Sequence, residues 1–310
     1  GDSLKRAAPA AILVDLGAEG RDRLPLLVRL AREGRPAIAL SAAADARTVV
    51  RALKSGASDF LCKGCSPAEL RSAIALLAEP DDAEEPSRRY ACLFAGASPA
   101  IRNVAARLRL FARSDFPVLI MGESGTGKEL AARALHELSP RCGGAFIARN
   151  CAALPELLVE SELFGTERGA FTDAVARPGA FELARGGQLF LDEIGEAGPA
   201  LQAKLLRVLE TRELWRLGGR RPIEVDARLV SATAMDLGGA AASAAFRQDL
   251  LYRINTLVLR LPPLRECKED IPDLAERFAL EASGGRTVPG AAALAKLESY
   301  DWPGNVRQLR

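Results

Sequence analysis

The stretch PVLIMGESGTGKELAARALHEL, Pro117 to Leu138, constrains the fold more than any other part of the chain. Val118 to Met121 is an apolar run that reads as a buried strand, Gly122 to Gly127 is a glycine-rich turn, and from Lys128 the spacing is that of an amphipathic helix. Glycines at Gly122, Gly125 and Gly127 let backbone N–H groups converge on phosphate oxygens with no Cβ in the way, while Lys128 reaches the β and γ phosphates of a nucleotide. Glu123, Ser124 and Thr126 complete the turn. The residue after the lysine is Glu129, so the hydroxyl that usually ligates magnesium at that position is missing. A strand, phosphate loop and helix in this order require an α/β domain.

The 310-residue chain is 48% hydrophobic and 26% charged, which suits two or three globular domains with ample core. A formal net charge of +2 argues for neither nucleic acid nor membrane as a bulk partner. No apolar run approaches the length of a membrane span, and no charged-then-apolar leader precedes Gly1, so the cytoplasm is the expected location. Cysteines at 62, 65, 92, 142, 151 and 267 lack the second pair a zinc site needs, and reduced thiols are the simpler reading even for the CxxC of Cys62 and Cys65. The single histidine, His136, is expected to pack rather than to bind metal.

Residues 1–78 alternate apolar runs with helical patterns, as a parallel sheet with crossover helices does. Ala11 to Val14 reads as a strand ending at Asp15, Leu24 to Leu30 as a helix, and Ala37 to Leu40 as a strand ending at Ser41. Thr48 to Leu53 is a second helix, Phe60 and Leu61 begin a strand ending at Lys63, and Leu70, Ile74 and Leu77 mark a third helix. Carboxylate, hydroxyl and lysine thus stand at three successive strand ends, where an open α/β sheet places its site. The arrangement resembles the second half of a flavodoxin-like response-regulator receiver. That resemblance implies Asp15 as phosphoacceptor, Ser41 as the hydroxyl that senses the phosphoryl group and Lys63 as its ion-pair partner, with a sensor kinase upstream. The family's first strand and its magnesium-binding acidic pair would lie before Gly1, and Gly64 stands where proline usually follows the lysine. Both a working phosphoacceptor and a degenerate module for packing or dimerisation fit.

The acidic run Glu79 to Glu85 with Pro86 reads as a linker, residues 79–90. From 91 to 261 the pattern is α/β again, and residues 262–310 are helical: Ile271 to Glu281, Gly290 to Leu297, and a last helix opening at Trp302, Pro303 and Gly304, proline suiting a first helical turn. Within the α/β part, GGQLFLDEIGE from Gly186 is an apolar strand ending in two adjacent acids. Asp192 suits Mg²⁺ held through water, and Glu193, aimed elsewhere, suits polarising a water for attack on a γ-phosphate.

With these blocks in place the region from Ala91 to Arg310 resembles the AAA+ domain of bacterial enhancer-binding proteins, the NtrC-type activators that remodel sigma-54 RNA polymerase. The segments that carry the resemblance are GESGTGKE at Gly122, NCAALPELLVESELFG at Asn150, GAFTDA at Gly169, RPGAFELARGGQLFLDEIGE at Arg177, FRQDLLYRIN at Phe246, LPPLRECKEDIPDLA at Leu261 and WPGNVRQLR at Trp302. The resemblance implies an ATPase using ATP and Mg²⁺, with Asn150 as the switch that holds the catalytic glutamate. It implies Arg247 and Arg253 as arginine fingers entering a neighbour's site in a ring, a hexamer on activation with a resting dimer allowed. Arg307 becomes the lid's sensor of the γ-phosphate. Gly169, Ala170, Phe171, Thr172, Asp173 and Ala174 occupy the place of the loop that touches sigma-54, and Glu213 to Ile223 that of a second inserted hairpin in which Trp215 packs.

Two departures bear on function. Asp173 replaces the loop's usual glycine, and Ala234 stands where an asparagine is expected beside Thr233 as first sensor. They keep open a second reading, an ATP-binding oligomeric regulator that does not engage sigma-54 and works with another polymerase form or as a partner-binding module. A protease or helicase subunit fits the blocks less well. The family's C-terminal helix-turn-helix is not in this sequence, so promoter DNA would be reached only through a domain outside it.

Overall fold

A computed structural model of the chain describes residues 12–17, 23–33, 35, 37–42, 48, 51–53, 55–65, 70, 94, 96–152, 156–170 and 175–310. The chain divides into two compact units, Gly1–Ser87 and Arg88–Arg310.

In the first unit β1 (Ile12–Asp15), α1 (Leu24–Arg32), β2 (Ala37–Ser41) and β3 (Asp59–Cys62) follow one another, and the strands form a parallel sheet in the order β1-β2-β3. Leu27 and Leu30 of α1 close over Val14, Ala37 and Ala39, so the helix buries its apolar stripe against the sheet. β1 ends at Asp15 as expected, whereas β3 ends at Cys62, one residue short of the expectation, which leaves Lys63 in the turn after its strand rather than at its end. Of the two later helices expected here, Thr48, Arg51 to Leu53 and Leu70 are helical; Ile74, Leu77 and the acidic linker run lie outside the described residues.

The second unit opens with α2 (Pro99–Ala112), capped by the Ser98 hydroxyl, which accepts the Ile101 N–H at 3.2 Å, with proline at the first helical position. Then come β4 (Val118–Met121), α3 (Lys128–Glu137), β5 (Phe146–Asn150), α4 (Glu156–Phe164), α5 (Ala180–Leu183) and β6 (Gln188–Asp192). α6 (Pro199–Thr211) leads into a hairpin of β7 (Glu213–Leu214) and β8 (Ile223–Glu224), followed by β9 (Arg228–Thr233), α7 (Leu237–Ala242), α8 (Gln248–Ile254) and β10 (Leu257–Arg260). The five long strands are all parallel in the order β10-β4-β9-β6-β5. β4 and β9 lie inside the sheet and are buried, which is why β4 reads as an unbroken apolar run; β9 is equally buried although it carries Arg228, Ser231 and Thr233. Their carboxyl ends, with those of β5 and β6, deliver Gly122, Ala234, Cys151 and Glu193 to one crevice.

An arginine is buried deep in this core. Arg228 is 1% exposed, and its guanidinium donates to the carbonyls of Phe111 (2.6 Å), Ala112 (3.2 Å) and Phe116 (3.4 Å) at and beyond the end of α2. The last carbonyls of a helix run out of intrahelical donors, so the arginine, from a distant strand, helps to cap α2 alongside Ser114, whose N–H and hydroxyl also donate to Phe111 (3.2 and 3.1 Å). Burial lowers the Arg228 pKa to about 10, which still leaves it charged.

The lid follows with α9 (Ile271–Ser283), α10 (Ala291–Ser299) and α11 (Asn305–Leu309) around Leu264, Ile271 and Trp302. Pro303 does not occupy the first turn of the last helix. Trp302 and Asn305 both have positive φ (50° and 52°), and helix begins only at Asn305. The indole of Trp302 is buried, stacks edge-on with Tyr300 and donates to the Leu297 carbonyl at 2.8 Å, which holds the chain in a turn at this point. Among the described residues no helix is long and apolar enough to cross a membrane.

Candidate phosphate-binding and hydrolytic site

The loop after β4 has the conformation its glycines predict: Gly125 and Gly127 are left-handed, at φ 81° and 92°, and α3 starts directly after them. Lys128 is buried, and its ammonium donates to the carbonyls of Gly122 (3.1 Å) and Glu123 (3.4 Å). The Thr126 hydroxyl closes the loop on the Glu123 carbonyl at 2.8 Å. Glu129 turns outward to Arg133, 2.7 Å away on the next turn of α3, and so does not replace the missing hydroxyl ligand.

At the end of β6 the two acids diverge. Asp192 is partly buried, and burial pushes its carboxyl above the ordinary 3.8 while the Glu193 N–H, 3.0 Å away, and the charge of Lys128 pull it down. Glu193 is left-handed at φ 49°, a conformation a non-glycine residue holds only at some cost. That turn aims its carboxylate back at the phosphate loop: Oε1 lies 3.6 Å from the Lys128 ammonium and Oε2 accepts the Ala234 N–H at 3.3 Å. Asn150 is in register with Asp192 on the adjacent strand, but its Oδ1 accepts the Ala152 N–H at 2.8 Å instead of engaging the glutamate. The departure at Ala234 is therefore smaller than the sequence suggests, since the backbone there reaches the glutamate although the expected amide is absent. Buried Cys151 between these groups has its thiol pushed up to about 12, first by burial and then by the charges of Asp192 and Glu193, and stays protonated.

The lid is clamped to the loop. Arg265 donates to both oxygens of Glu123 (2.9 and 2.6 Å), and Asn305 Nδ2 reaches the same carboxylate (3.2 Å) and the Ser124 carbonyl (3.0 Å). Arg307 donates its backbone N–H to the Gly125 carbonyl (3.3 Å) and its guanidinium to the Ser124 hydroxyl (3.3 Å). The Arg265 and Asn305 bonds hold the Glu123 carboxyl at about 2 instead of 4.5. Because this folded value is depressed, the clamp's contribution is complete above pH 4.5 and is lost as pH falls towards 2. None of this was visible in sequence, because Glu123 and its partners are well over a hundred positions apart.

A Cβ at residue 125 would lie 2.2 Å from the Gly304 carbonyl oxygen, a backbone atom that cannot step aside alone. The left-handed φ adds roughly 1–2 kcal/mol for any L residue. Gly125→Ala is thus expected to separate lid from loop and weaken ATP binding at least about tenfold, since about 1.4 kcal/mol is already tenfold. Titration calorimetry with a non-hydrolysable ATP analogue measures this, and an affinity within about twofold of the parent would show the contact to be dispensable.

Beside Thr126 and Gly127 a cavity of about 140 Å³ is lined by Phe94, Ile101, Leu130, Leu264, Leu274 and Val306. Asp270 of the lid stands at its edge, where the Ser98 N–H and hydroxyl donate to it at 2.9 and 2.5 Å. These residues come from the segment before α2, from α2 and α3, and from the lid region, and no local pattern in the sequence links them.

Arg247 and Arg253 belong to the exposed α8 region. Each is ion-paired within its own chain, to Asp249 at 2.7 Å and to Glu210 at 3.7 Å, rather than with the phosphate loop. Of the expected partner-contact loop, Gly169 (φ 83°) and Ala170 are described; Phe171, Thr172, Asp173 and Ala174 lie outside the described residues. The base of that loop is fastened to the β7–β8 hairpin: Leu217 donates to Gly165 and accepts from Glu167, and Arg216 pairs with Glu167 (3.0 Å) and Glu182 (2.7 Å). Trp215, in the hairpin, lies under the Arg207 guanidinium, 4.1 Å from ring centre, so it packs against α6. In the first unit Lys63 Nζ and the Gly17 N–H reach the two oxygens of Asp15 at 2.8 and 2.9 Å and hold its carboxyl below the usual range, while Ser41 is fully buried.

Residues 94–260 match the Sigma-54 interaction domain and residues 265–310 the AAA+ ATPase lid domain. The chain is 43% identical over 319 residues to the transcriptional regulatory protein GlrR of Escherichia coli K12, a match that covers 99% of this chain and 70% of GlrR. It is 42% identical over 282 residues to the response regulator protein PilR of Pseudomonas aeruginosa (88% of this chain, 63% of PilR). It is 54% identical over 219 residues to the Nif-specific regulatory protein of Herbaspirillum seropedicae (69% and 40%), so it spans less than two thirds of either of the last two proteins. Among solved structures, NtrX from Brucella abortus in complex with ATP superposes with a TM-score of 0.63 at 32% identity, covering 99% of this chain and 70% of that one.

Proposed function

The chain belongs to the family of sigma-54-dependent activators with an AAA+ domain, and from that premise we propose that it is the ATP-hydrolysing motor of a transcriptional regulator. The observation that carries this reading is Glu193. A left-handed residue at a strand end is worth its strain only if the side chain is needed where it points, and it points at the phosphate-loop lysine. In the proposed site the loop N–H groups and Lys128 hold the β and γ phosphates, Glu193 takes the proton of the attacking water, and the base enters the apolar cavity beside Thr126. Lys128 then exchanges its loop carbonyls for phosphate oxygens, and Glu193 is released from it.

Magnesium fits this donor set. Among the described residues no cluster of three protein ligands exists, Glu129 faces away to Arg133, and Asp192 adjoins Glu193 at the end of β6. Such a site suits an ion held mainly by phosphate and water, with Asp192 orienting the water, and the ion's contribution would be to neutralise charge on the transferring phosphoryl group. Arg247 and Arg253 complete the site only if supplied by a neighbour, which is the argument for a ring. In this reading Arg307 couples phosphate loss to lid movement, which its bonds to Ser124 and Gly125 support. We assign the segment after Ala170 to sigma-54 contact, its base being clasped by the second hairpin so that movement of one insertion carries the other.

The test is to trap the protein with ADP and aluminium fluoride in the presence of sigma-54 while ATP turnover is measured. A stable complex together with hydrolysis is the expected result. Hydrolysis with no complex would remove the polymerase part of the reading. In that assay Asp173→Gly is expected to increase the trapped fraction by a few-fold, roughly 1 kcal/mol of added loop freedom; an unchanged fraction would show that Asp173 does not limit contact.

A further inference from the structure

We propose that Cys62 and Cys65 are a modification site, a dithiol that closes reversibly to an intramolecular disulfide across the turn carrying Lys63. Neither thiol has a role in the motor, and the inference is independent of the reading above. The Cys65 N–H donates to the Cys62 carbonyl at 3.0 Å, which makes residues 62–65 a closed four-residue turn. Such a turn keeps its end Cα atoms within about 7 Å, and a disulfide spans about 4.4–6.8 Å, so the thiols meet without unfolding a strand. Gly64 takes the left-handed corner at φ 101°, with no atom within 4 Å of where a Cβ would stand, so the turn has room to tighten. Cys62 is exposed and Cys65 half-buried, whereas Cys151 and Cys267 are buried. A metal does not compete for the pair: among the described residues no third cysteine, histidine or carboxylate joins them into a ligand cluster, and a structural zinc site takes four.

The oxidant is a low-molecular-weight disulfide. The Cys62 thiolate attacks one of its sulfurs, the small S–S bond breaks and one small thiolate leaves; Cys65 then attacks the Cys62 sulfur, forming the protein S–S bond and releasing the second small thiolate. The two cysteine protons end on the two small thiols, the protein loses two electrons and the small disulfide gains them. Lys63 follows Cys62 within the turn, with its ammonium 2.8 Å from Asp15 Oδ2. Closing the ring removes backbone freedom from the two residues it encloses and holds Lys63 against Asp15.

The experiment equilibrates the full chain in buffers of varied reduced and oxidised glutathione, blocks free thiols with an alkylating reagent and maps tryptic peptides. Trypsin cuts after Lys63, so the disulfide is read as Ser55–Lys63 and Gly64–Arg71 travelling as one linked species. That species is expected to appear at less oxidising ratios than glutathione addition at Cys142, to vanish in Cys62→Ser and Cys65→Ser, and to persist in Cys142→Ser. Acylation of the Lys63 amine in the intact chain is expected to slow roughly twofold or more on oxidation, as the ring is constrained. Both cysteines staying alkylatable at the most oxidising ratio, a glutathione adduct on Cys62 that Cys65 never displaces, or a disulfide between chains would each overturn the proposal. An unchanged Lys63 rate in the oxidised chain would overturn its coupling to Asp15.

Discussion

Glu193→Gln is expected to lower ATP turnover by roughly 10²–10⁴-fold while leaving ATP affinity within a few-fold of the parent. The change is isosteric, and the amide oxygen still accepts the Ala234 N–H that holds the side chain at 3.3 Å. What is lost is the basic oxygen that takes the water's proton, together with the charge 3.6 Å from Lys128. Losing that charge frees the lysine for phosphate, so binding holds or tightens as hydrolysis fails. Steady-state turnover and the affinity for a labelled ATP analogue, measured on the same preparation, separate the two effects. Equal losses in both would mean that Glu193 shapes the loop rather than activating water. Asp192→Asn offers the contrast, because it removes the half-buried carboxylate assigned to orienting the ion's water, and its loss should deepen as Mg²⁺ is lowered.

How far the site was legible in sequence depended on chain distance. Strand β4, the loop and helix α3 are contiguous and were read residue for residue, as was β6 with its two terminal acids, because each carries its chemistry inside one local pattern. The family blocks supplied the order of the rest. What stayed hidden was contact between distant segments. Glu123 reads as part of the phosphate loop, but its clamp with Arg265 and Asn305 is seen only in the fold, as is the cavity that Phe94, Leu130, Leu274 and Val306 line together. Asn150, expected as the switch that holds the catalytic glutamate, lies in register with Asp192, and its amide oxygen accepts the Ala152 N–H, a local contact that sequence does not reveal. The late start of the last helix was missed because Trp302 and Asn305 take positive φ for tertiary reasons, a buried indole and a buried amide, that no capping rule contains. The acidic linker and Phe171 to Ala174 were read from sequence and lie outside the described residues.

Arg247→Ala is expected to cost roughly 10³–10⁵-fold in turnover, the range for an arginine that stabilises charge on a transferring phosphate, with ATP binding to the isolated chain unchanged. Within one chain nothing predicts so large an effect: the guanidinium is exposed and bonded to Asp249, an arrangement that ordinarily contributes little. The effect therefore discriminates between a local surface pair and a residue that works in a neighbouring subunit. Mixing makes the distinction sharper. Chains carrying Arg247→Ala retain loop, Lys128 and Glu193, while chains carrying Glu193→Gln retain the arginine; each preparation alone should be nearly inactive. In a ring assembled from equal amounts, half the sites have an intact hydrolytic side, and half of those face an intact arginine, so roughly a quarter of parental turnover should return. If the arginine served its own chain's site, every site in the mixture would lack one group or the other and no activity would return. Arg253, ion-paired more loosely at 3.7 Å to Glu210, is expected to behave in the same way in the same mixing experiment. Rescue with one arginine variant and not the other would identify the residue that reaches the neighbour's phosphate.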